Sequence, residues 1–229
     1  MSVVKMVAAI PRRKDLSEQE FHDHWRHPHG TISRQMLTLR AYVQSHRTRS
    51  QLLPQEQEIF DGITEVWFDN LSDALGVKEN PAYLRYNGPD EPRFVDMERL
   101  IFVFVTEEVL ASRANVNTWP NEADVLWSPW HCSVSVKLIQ LIEAAGGTDW
   151  TSSNDESLGI RIGALRHVRS RPIAAIHGDK PPFVGIRELW WPTLTAFEKG
   201  VKSDRPAFEQ LISKCTNAKT LLCQAERVI

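Results

Sequence analysis

Four of the chain's eight histidines lie within ten residues, in the stretch FHDHWRHPHG from Phe21 to Gly30. Imidazole ordinarily titrates close to neutral pH, so such a cluster could bind a metal ion or move protons. No two of the four have the i, i+4 spacing of an HExxH zinc site, and no acidic residue is spaced to complete a tetrahedral set. We therefore predict no metal site here, which leaves acid/base chemistry or a structural role.

His29 is the strongest of the four as a proton-transfer residue. Helical spacing puts Phe21 and Trp25 on one apolar stripe that should face inward, and His29 ends the same segment. We predict that His29 enters a cavity as a general base or acid, with Trp25 as part of the cavity wall. An equally good alternative is a buried histidine that holds a backbone carbonyl. His22 and His27 are expected to be solvated.

The segment LRAYVQSH should form a strand with one polar face. Alternation directs Arg40, Tyr42, Gln44 and His46 to the same side, and we predict that this side lines the cavity. Tyr42 and His46 are then candidate catalytic groups, and Gln44 is a candidate substrate contact. Arg40 is predicted to pair with a substrate carboxylate, with a solvated strand end as the alternative.

Composition narrows the classes of partner. Lys and Arg number 27 against 29 Asp and Glu, a formal net charge of −2, and no stretch concentrates the basic residues as nucleic-acid binding requires. No apolar run is long enough to span a membrane, and Lys5 and Pro11 interrupt the N-terminal run too early for a signal peptide. We expect a small-molecule substrate, with no nucleic-acid or membrane partner.

Cysteine usage favours a reducing compartment. The three cysteines, Cys132, Cys215 and Cys223, are an odd number and show no CxxC spacing. They therefore indicate neither a disulfide framework nor a zinc site. The prediction that follows is a cytoplasmic protein.

Local patterns predict a β-α-β-β-α-β order in the first half, which is the ferredoxin-like arrangement. The predicted strands are 3–10, 39–46, 59–68 and 97–109. Ser17 and Glu20 form a capping box that begins the first helix, and Pro28 with Gly30 should end or bend it. A second helix is predicted to run to Gly76.

The second half of the chain repeats the first. FDGITEVWF at 60–68 returns as FVGIRELWW at 183–191. We predict an α+β fold of two tandem ferredoxin-like units whose antiparallel sheets form a dimeric α/β barrel within one chain. Glu65 and Trp67 recur in the second copy, which favours a structural role, although Trp67 is also a candidate wall of the cavity.

The two units are expected to differ in function. The predicted boundaries are 1–112 for the first unit, 113–130 for a linker and 131–229 for the second unit. In the second unit the segment AAGGTDWTSSNDESLG lacks the apolar stripe of a first helix. We therefore expect the first unit to be the active one and the second to be degenerate.

The motifs LSEQEFHDHWRHPHG, LRAYVQSH, ITEVWFDNLSDAL, NPAYLRY and FVD together resemble the EthD family of the dimeric α/β barrel superfamily. The Phe-x3-Trp-x3-His-Gly spacing is the most specific of these features. The resemblance implies a cavity between sheet and helices in each unit. Relatives in the superfamily include polyketide cyclases, muconolactone isomerases, cofactor-independent monooxygenases and haem-handling proteins.

The resemblance also draws attention to Tyr83. Barrel cyclases carry a Pro-Ala-His motif with a catalytic histidine, and this chain has Tyr83 at the matching place after Pro81. A phenol is a poor base at neutral pH but can donate a hydrogen bond to a developing oxyanion. Asp96 in the FVD motif is a candidate to orient His29 or Tyr83, with a turn role as the alternative.

We predict a lyase or isomerase that decarboxylates, dehydrates or cyclises a small aromatic or polyketide-like compound. No nucleotide, flavin or pyridoxal phosphate motif is present in the sequence, so no cofactor is expected. One alternative is a cofactor-free monooxygenase that acts on a phenol. Others are a haem or ligand carrier with His29 or His131 as ligand, and an accessory protein without activity. The fused barrel could also form a homodimer.

Overall fold

The computed structural model describes residues 3–53, 59–112, 134–144, 150–214 and 217–229. The predicted linker and His131 lie outside these ranges. Eight strands are present in the described part of the chain: β1 (Val4–Ile10), β2 (Ala41–Thr48), β3 (Gly62–Phe68), β4 (Ile101–Ser112), β5 (Val134–Ile142), β6 (Arg166–Pro172), β7 (Gly185–Trp191) and β8 (Ala218–Arg227).

The strands close into one antiparallel barrel in the order β1-β3-β2-β8-β5-β7-β6-β4. Strands β1 to β4 form one arc of the barrel and strands β5 to β8 form the other. The pairs β2/β8 and β4/β6 join the two arcs. This confirms the predicted α+β barrel of two tandem units. The unit boundaries stay a prediction, since residues 113–133 are not described.

Helices pack on the outside of the barrel. The α-helices are α1 (Glu18–His24), α2 (Gly30–Ser33), α3 (Leu71–Leu75), α4 (Gly88–Asp90), α5 (Asp155–Arg161), α6 (Ala174–His177), α7 (Leu194–Ser203) and α8 (Arg205–Ser213). The capping box of Ser17 and Glu20 begins α1 as predicted. Among the helices of the described ranges, none has the length and apolar character needed to cross a membrane.

The barrel interior holds a set of buried ion pairs. Lys5 bonds Glu188 and lies 2.8 Å from Glu65, while Lys137 lies 2.5 Å from Glu65 and 2.9 Å from Glu188. Burial opposes the charges of Lys5 and Glu188, but the opposite charges around each of them outweigh it. As a result the pKa of Lys5 is raised and the pKa of Glu188 is lowered. Each ammonium therefore bridges the two halves of the chain.

Both halves place a tryptophan against a strand glycine. A Cβ on Gly62 would lie 2.3 Å from the ring of Trp25, and one on Gly185 would lie 2.1 Å from the ring of Trp150. Only a residue without a side chain allows this approach. The ring of Trp25, which is fully buried, is thus fixed against β3 in the first unit.

Candidate active site

A cavity lies between the sheet of the first unit and its helices. Its wall is mostly apolar, with alternate residues of β1 such as Met6, Ala8 and Ile10 and, from other elements, Trp25 and Phe94. The polar wall residues are His29, Ser33, Tyr42, Thr64, Tyr83, Asn87 and Glu91. The space open to the centres of water-sized molecules is about 70 Å³, enough for about five waters. The cavity therefore suits one small, flat ligand.

His29 reaches this cavity through an irregular turn. The helix does not end at Pro28 as the sequence suggested. Instead it widens into a π-helical turn at Trp25–His29 and continues into α2. Such turns often occur at functional sites because they redirect side chains. Here the turn buries both Trp25 and His29, on the side that faces the cavity.

His29 is held by a carboxylate. Its Nδ1 lies 3.0 Å from Oδ2 of Asp90 and donates to it. In the neutral ring that makes this bond, Nε2 carries no proton and can accept one. Burial raises the pKa of Asp90, but hydrogen bonds from His29 and His24 outweigh this and hold the pKa below its usual value. An imidazole oriented by a carboxylate can act as a general base. The partner is not the backbone carbonyl of the alternative interpretation, and a catalytic role for His29 stays a prediction.

Tyr83 and Glu91 form a second polar pair on the wall. The Tyr83 hydroxyl donates to Oε2 of Glu91 at 2.8 Å. Burial raises the pKa of Glu91, although the bond from Tyr83 partly offsets the effect. Burial and the charge of Glu91 raise the pKa of Tyr83, so the phenol keeps its proton. This pair can therefore supply a proton to a ligand.

Tyr42 lies on the wall with its acceptor positions engaged. Its hydroxyl accepts from Nε1 of Trp25 at 3.1 Å and from Nε2 of Gln44 at 2.9 Å. Burial raises the pKa of Tyr42 to about 12, so the hydroxyl stays protonated. Its hydrogen is left for Thr64 or for a ligand. Gln44 itself does not line the cavity, so its predicted substrate contact is replaced by support for Tyr42.

His46 does not reach the cavity, so its predicted place on the cavity wall is wrong. His46 lies on the predicted face of β2, but the ring of Trp25 packs against it, with the two ring centroids 4.4 Å apart. Trp25 therefore lies on the cavity wall in place of His46. Its ring bonds Gln44 and His22 at 3.2 Å and 2.9 Å. Burial lowers the pKa of His46 to about 2, which keeps it neutral. His22, expected to be solvated, is therefore a partly buried neighbour of His46.

Three further predicted substrate contacts lie elsewhere. Arg40 pairs with Asp69 at 3.0 Å with 58% of its side chain exposed, so it is the solvated strand end of the alternative interpretation. Trp67 faces the barrel interior, where its Nε1 donates to Glu107 at 2.9 Å. Asp96 accepts from Nε of Arg99 at 2.9 Å, three residues further along the chain.

Asp90 and Glu91 are site residues that sequence reasoning missed. They follow a π-helical turn at Tyr83–Asn87 and lie between two prolines, in the segment NGPDEPRF. The signal in the sequence that could have identified them is the pair of adjacent acidic residues between two prolines. Asp90 is 61 positions from His29 in the chain, so no local spacing rule connects them.

In the second unit an arginine occupies the corresponding space. Register places Arg187 where the first unit has Thr64. Nη2 of Arg187 donates to Asp155 at 2.8 Å, and Nη1 donates to Gln140 at 3.0 Å. All three side chains are buried. That the first unit is the active one stays a prediction.

The described residues contain no group of three or more His, Cys, Asp or Glu arranged to hold a metal ion. Haem, which the sequence left open as an alternative ligand, does not fit this cavity. A tetrapyrrole is far larger than this cavity, in which the space open to the centres of water-sized molecules is about 70 Å³. We therefore assign no step to haem.

The EthD domain family model matches residues 13–98. No curated protein matches the sequence. An anthrone oxidase-like protein of solved structure is similar over 100% of this chain and 94% of its own, with a TM-score of 0.57 and 10% identity. A candidate monooxygenase from Lactobacillus acidophilus NCFM gives a TM-score of 0.51 at 9% identity, covering 100% of this chain and 95% of that one.

A candidate chlorite dismutase has a TM-score of 0.53 at 10% identity, covering 100% of this chain and 96% of its own. At such identities these similarities establish the fold. They do not support the predicted lyase or isomerase, and that prediction is wrong. Two other neighbours that cover the whole chain are named as monooxygenases and a third as anthrone oxidase-like, which agrees with the alternative formed from the sequence.

Proposed function

Because residues 13–98 form an EthD domain within a dimeric α/β barrel, we propose that the chain is an oxygen-dependent monooxygenase acting on a small phenol without an added cofactor. The observation that carries the proposal is the His29–Asp90 pair on the wall of a largely apolar cavity. The names of the structural neighbours support the reaction type.

The reaction begins with proton removal. Nε2 of His29 takes the phenolic proton while Asp90 stabilises the imidazolium that forms. The phenolate is electron-rich enough to reduce molecular oxygen. One oxygen atom becomes bonded to the ring carbon opposite the phenolate oxygen, and the O–O bond then breaks. The products are a quinone and water, whose hydrogens are those of the phenol O–H and of the attacked C–H.

The other wall residues assist this chemistry. The Tyr42 hydroxyl can donate to the phenolate oxygen, and the Tyr83–Glu91 pair can supply the proton taken up by the departing oxygen. The apolar wall keeps water away from the reactive intermediates. Tyr42 thus acts on the phenolate oxygen, and the Tyr83–Glu91 pair acts on the departing oxygen.

The wall also restricts the substrate class. Among the described wall residues there is no Lys or Arg. An anionic substrate would lose its hydration with no cation on the wall to compensate. The open volume corresponds to about five waters, which suits one ring better than the three rings of anthrone. We therefore propose a neutral, single-ring phenol as substrate.

The test is oxygen uptake by the purified full-length protein with phenol, 2-methoxyphenol and anthrone, each of which carries hydrogen on the ring carbon opposite the oxygen. We expect one oxygen molecule consumed per quinone formed with a single-ring phenol, and slower turnover of anthrone. Turnover of no phenol, in protein shown to bind one by calorimetry, would contradict the proposal.

A further inference from the structure

We propose that His24 is a further proton-transfer residue, which receives through Asp90 the proton that His29 takes from the substrate. This inference rests on the proposed function and adds a route from the cavity to solvent. It concerns a histidine that the reaction above does not use.

Asp90 lies between two imidazoles. Nε2 of His24 is 3.0 Å from Oδ1 and 3.2 Å from Oδ2 of Asp90, and Nδ1 of His29 is 3.0 Å from Oδ2. Every donor–acceptor distance along the path is therefore that of a hydrogen bond. The three groups form one continuous connection.

The ends of this connection differ in exposure. The side chain of His24 is 26% exposed, whereas that of His29 is 9% exposed and that of Asp90 is 8% exposed. Both rings pack on Phe94 with centroids 5.0 Å away, and this contact fixes their positions. One imidazole thus contacts solvent while the other lines the cavity.

The charged groups around Asp90 permit proton movement. Nη1 of Arg93 lies 3.8 Å from Oδ1, and its guanidinium is 71% exposed, so water screens it. Glu91 adds a further carboxylate nearby. The carboxylate of Asp90 carries the one negative charge of the connection, and that charge attracts a proton.

The proton moves by heterolytic steps without redox change. The substrate O–H bond breaks and an N–H bond forms at Nε2 of His29. The Nδ1 proton of His29 passes to Asp90. His24, which donates from Nε2 to the ionised Asp90, first moves its proton to Nδ1 by exchange with solvent, and its free Nε2 then accepts the proton from Asp90. His24 releases a proton to water. The departing oxygen takes its proton from Glu91 or Tyr83. The proton on Nε2 of His29 then replaces it, while one proton returns from solvent through His24 and Asp90 to Nδ1 of His29, so that the turnover releases no net proton and both groups are restored.

The experiment uses 4-nitrophenol, whose phenolate is coloured and whose ring is too electron-poor to be oxidised readily. The full-length protein is mixed with it in weakly buffered solution just below neutral pH. Visible absorbance reports ionisation of the bound phenol, and a fluorescent pH indicator reports protons that reach solvent. H24Q keeps an amide donor for Asp90 but cannot carry a proton. H27Q changes an exposed histidine of the same segment and is the matched control.

We expect wild type and H27Q to ionise the phenol and release the proton together. In H24Q the phenolate should appear at the normal rate, while proton release slows by about tenfold or more. Added imidazole should restore release. Equal release rates in H24Q and wild type, or equal slowing in H27Q, would overturn the role of His24 and leave the proposed function standing. Binding without ionisation in wild type would overturn both.

Discussion

His29 differs from its neighbouring histidines in facing the cavity while bonded to a buried carboxylate. His22 contacts His46, and His27 is exposed on the surface. Four similar side chains in ten residues thus have four different environments. Chemistry at this site depends on the partner of each imidazole more than on the number of imidazoles.

Removing either member of the pair should abolish most turnover. For H29A and D90N we expect kcat with a single-ring phenol to fall by about 10²- to 10⁴-fold, because the base is lost or loses its orientation. Oxygen uptake is the measurement, and H27A is the control. Wild-type kcat in folded H29A would show that another group takes the proton.

The dependence of kcat on pH should reveal the ionisation of Glu91. Because burial raises its pKa, Glu91 stays protonated above the usual carboxyl range, and its role as an acid is lost as pH rises through that raised pKa. The bond from Tyr83 lowers the pKa of Glu91. Y83F should therefore move the alkaline loss of kcat to higher pH, and E91Q should remove it. An alkaline limb that is the same in all three proteins would contradict this role.

At the scale of elements, two π-helical turns and one glycine contact position the site. Trp25–His29 and Tyr83–Asn87 each bring a candidate residue to the cavity. Gly62 lets the Trp25 ring lie directly on β3. Trp25 belongs both to the first of these turns and to the contact with β3, so the two features together fix the position of its ring.

Filling the space at Gly62 should therefore disturb the fold and the cavity. A methyl group there would lie 2.3 Å from the Trp25 ring, and we expect G62A to lower the free energy of unfolding by about 1–3 kcal/mol. Urea denaturation is the measurement. G76A is the matched control, because no atom lies within 4 Å of a Cβ at Gly76. Equal stability of the two variants would argue against this packing role.

Sequence patterns predicted the elements better than the site. Alternation along β2 placed Tyr42 and Gln44 on the correct face, and the capping box located α1, since both signals depend on residues close in the chain. Alternation could not show that Trp25 would exclude His46 from the cavity. The partnership of His29 with Asp90 arises from packing between distant segments, which local spacing does not encode.

At the scale of the molecule, the barrel is one body made of two unlike halves. Its interior ion pairs join Lys5 to Glu188 and Lys137 to Glu65 across the halves. The first half carries the cavity, and the second fills the equivalent space with Arg187. Association of two fused barrels stays a prediction.

Breaking the interior pairs should destabilise the whole barrel. K137M leaves two buried carboxylates with one fewer cation, and we expect a loss of about 3–5 kcal/mol in the free energy of unfolding. The exposed K199M is the control. In wild type, the lowered pKa of Glu188 means that its contribution is present above its unfolded pKa and is lost only as pH falls well below the usual carboxyl range. Unchanged stability of K137M in urea would contradict this role.

The pairing of β2 with β8 and of β4 with β6 has a consequence for the history of the chain. A leading half produced by itself would present two unsatisfied strand edges and a lysine and a glutamate without their counterparts. A twin of that half offers the same residue types at the equivalent positions, Lys5 for Lys137 and Glu65 for Glu188. Two leading halves could thus rebuild the ring as a symmetric pair, with two working hollows in place of one.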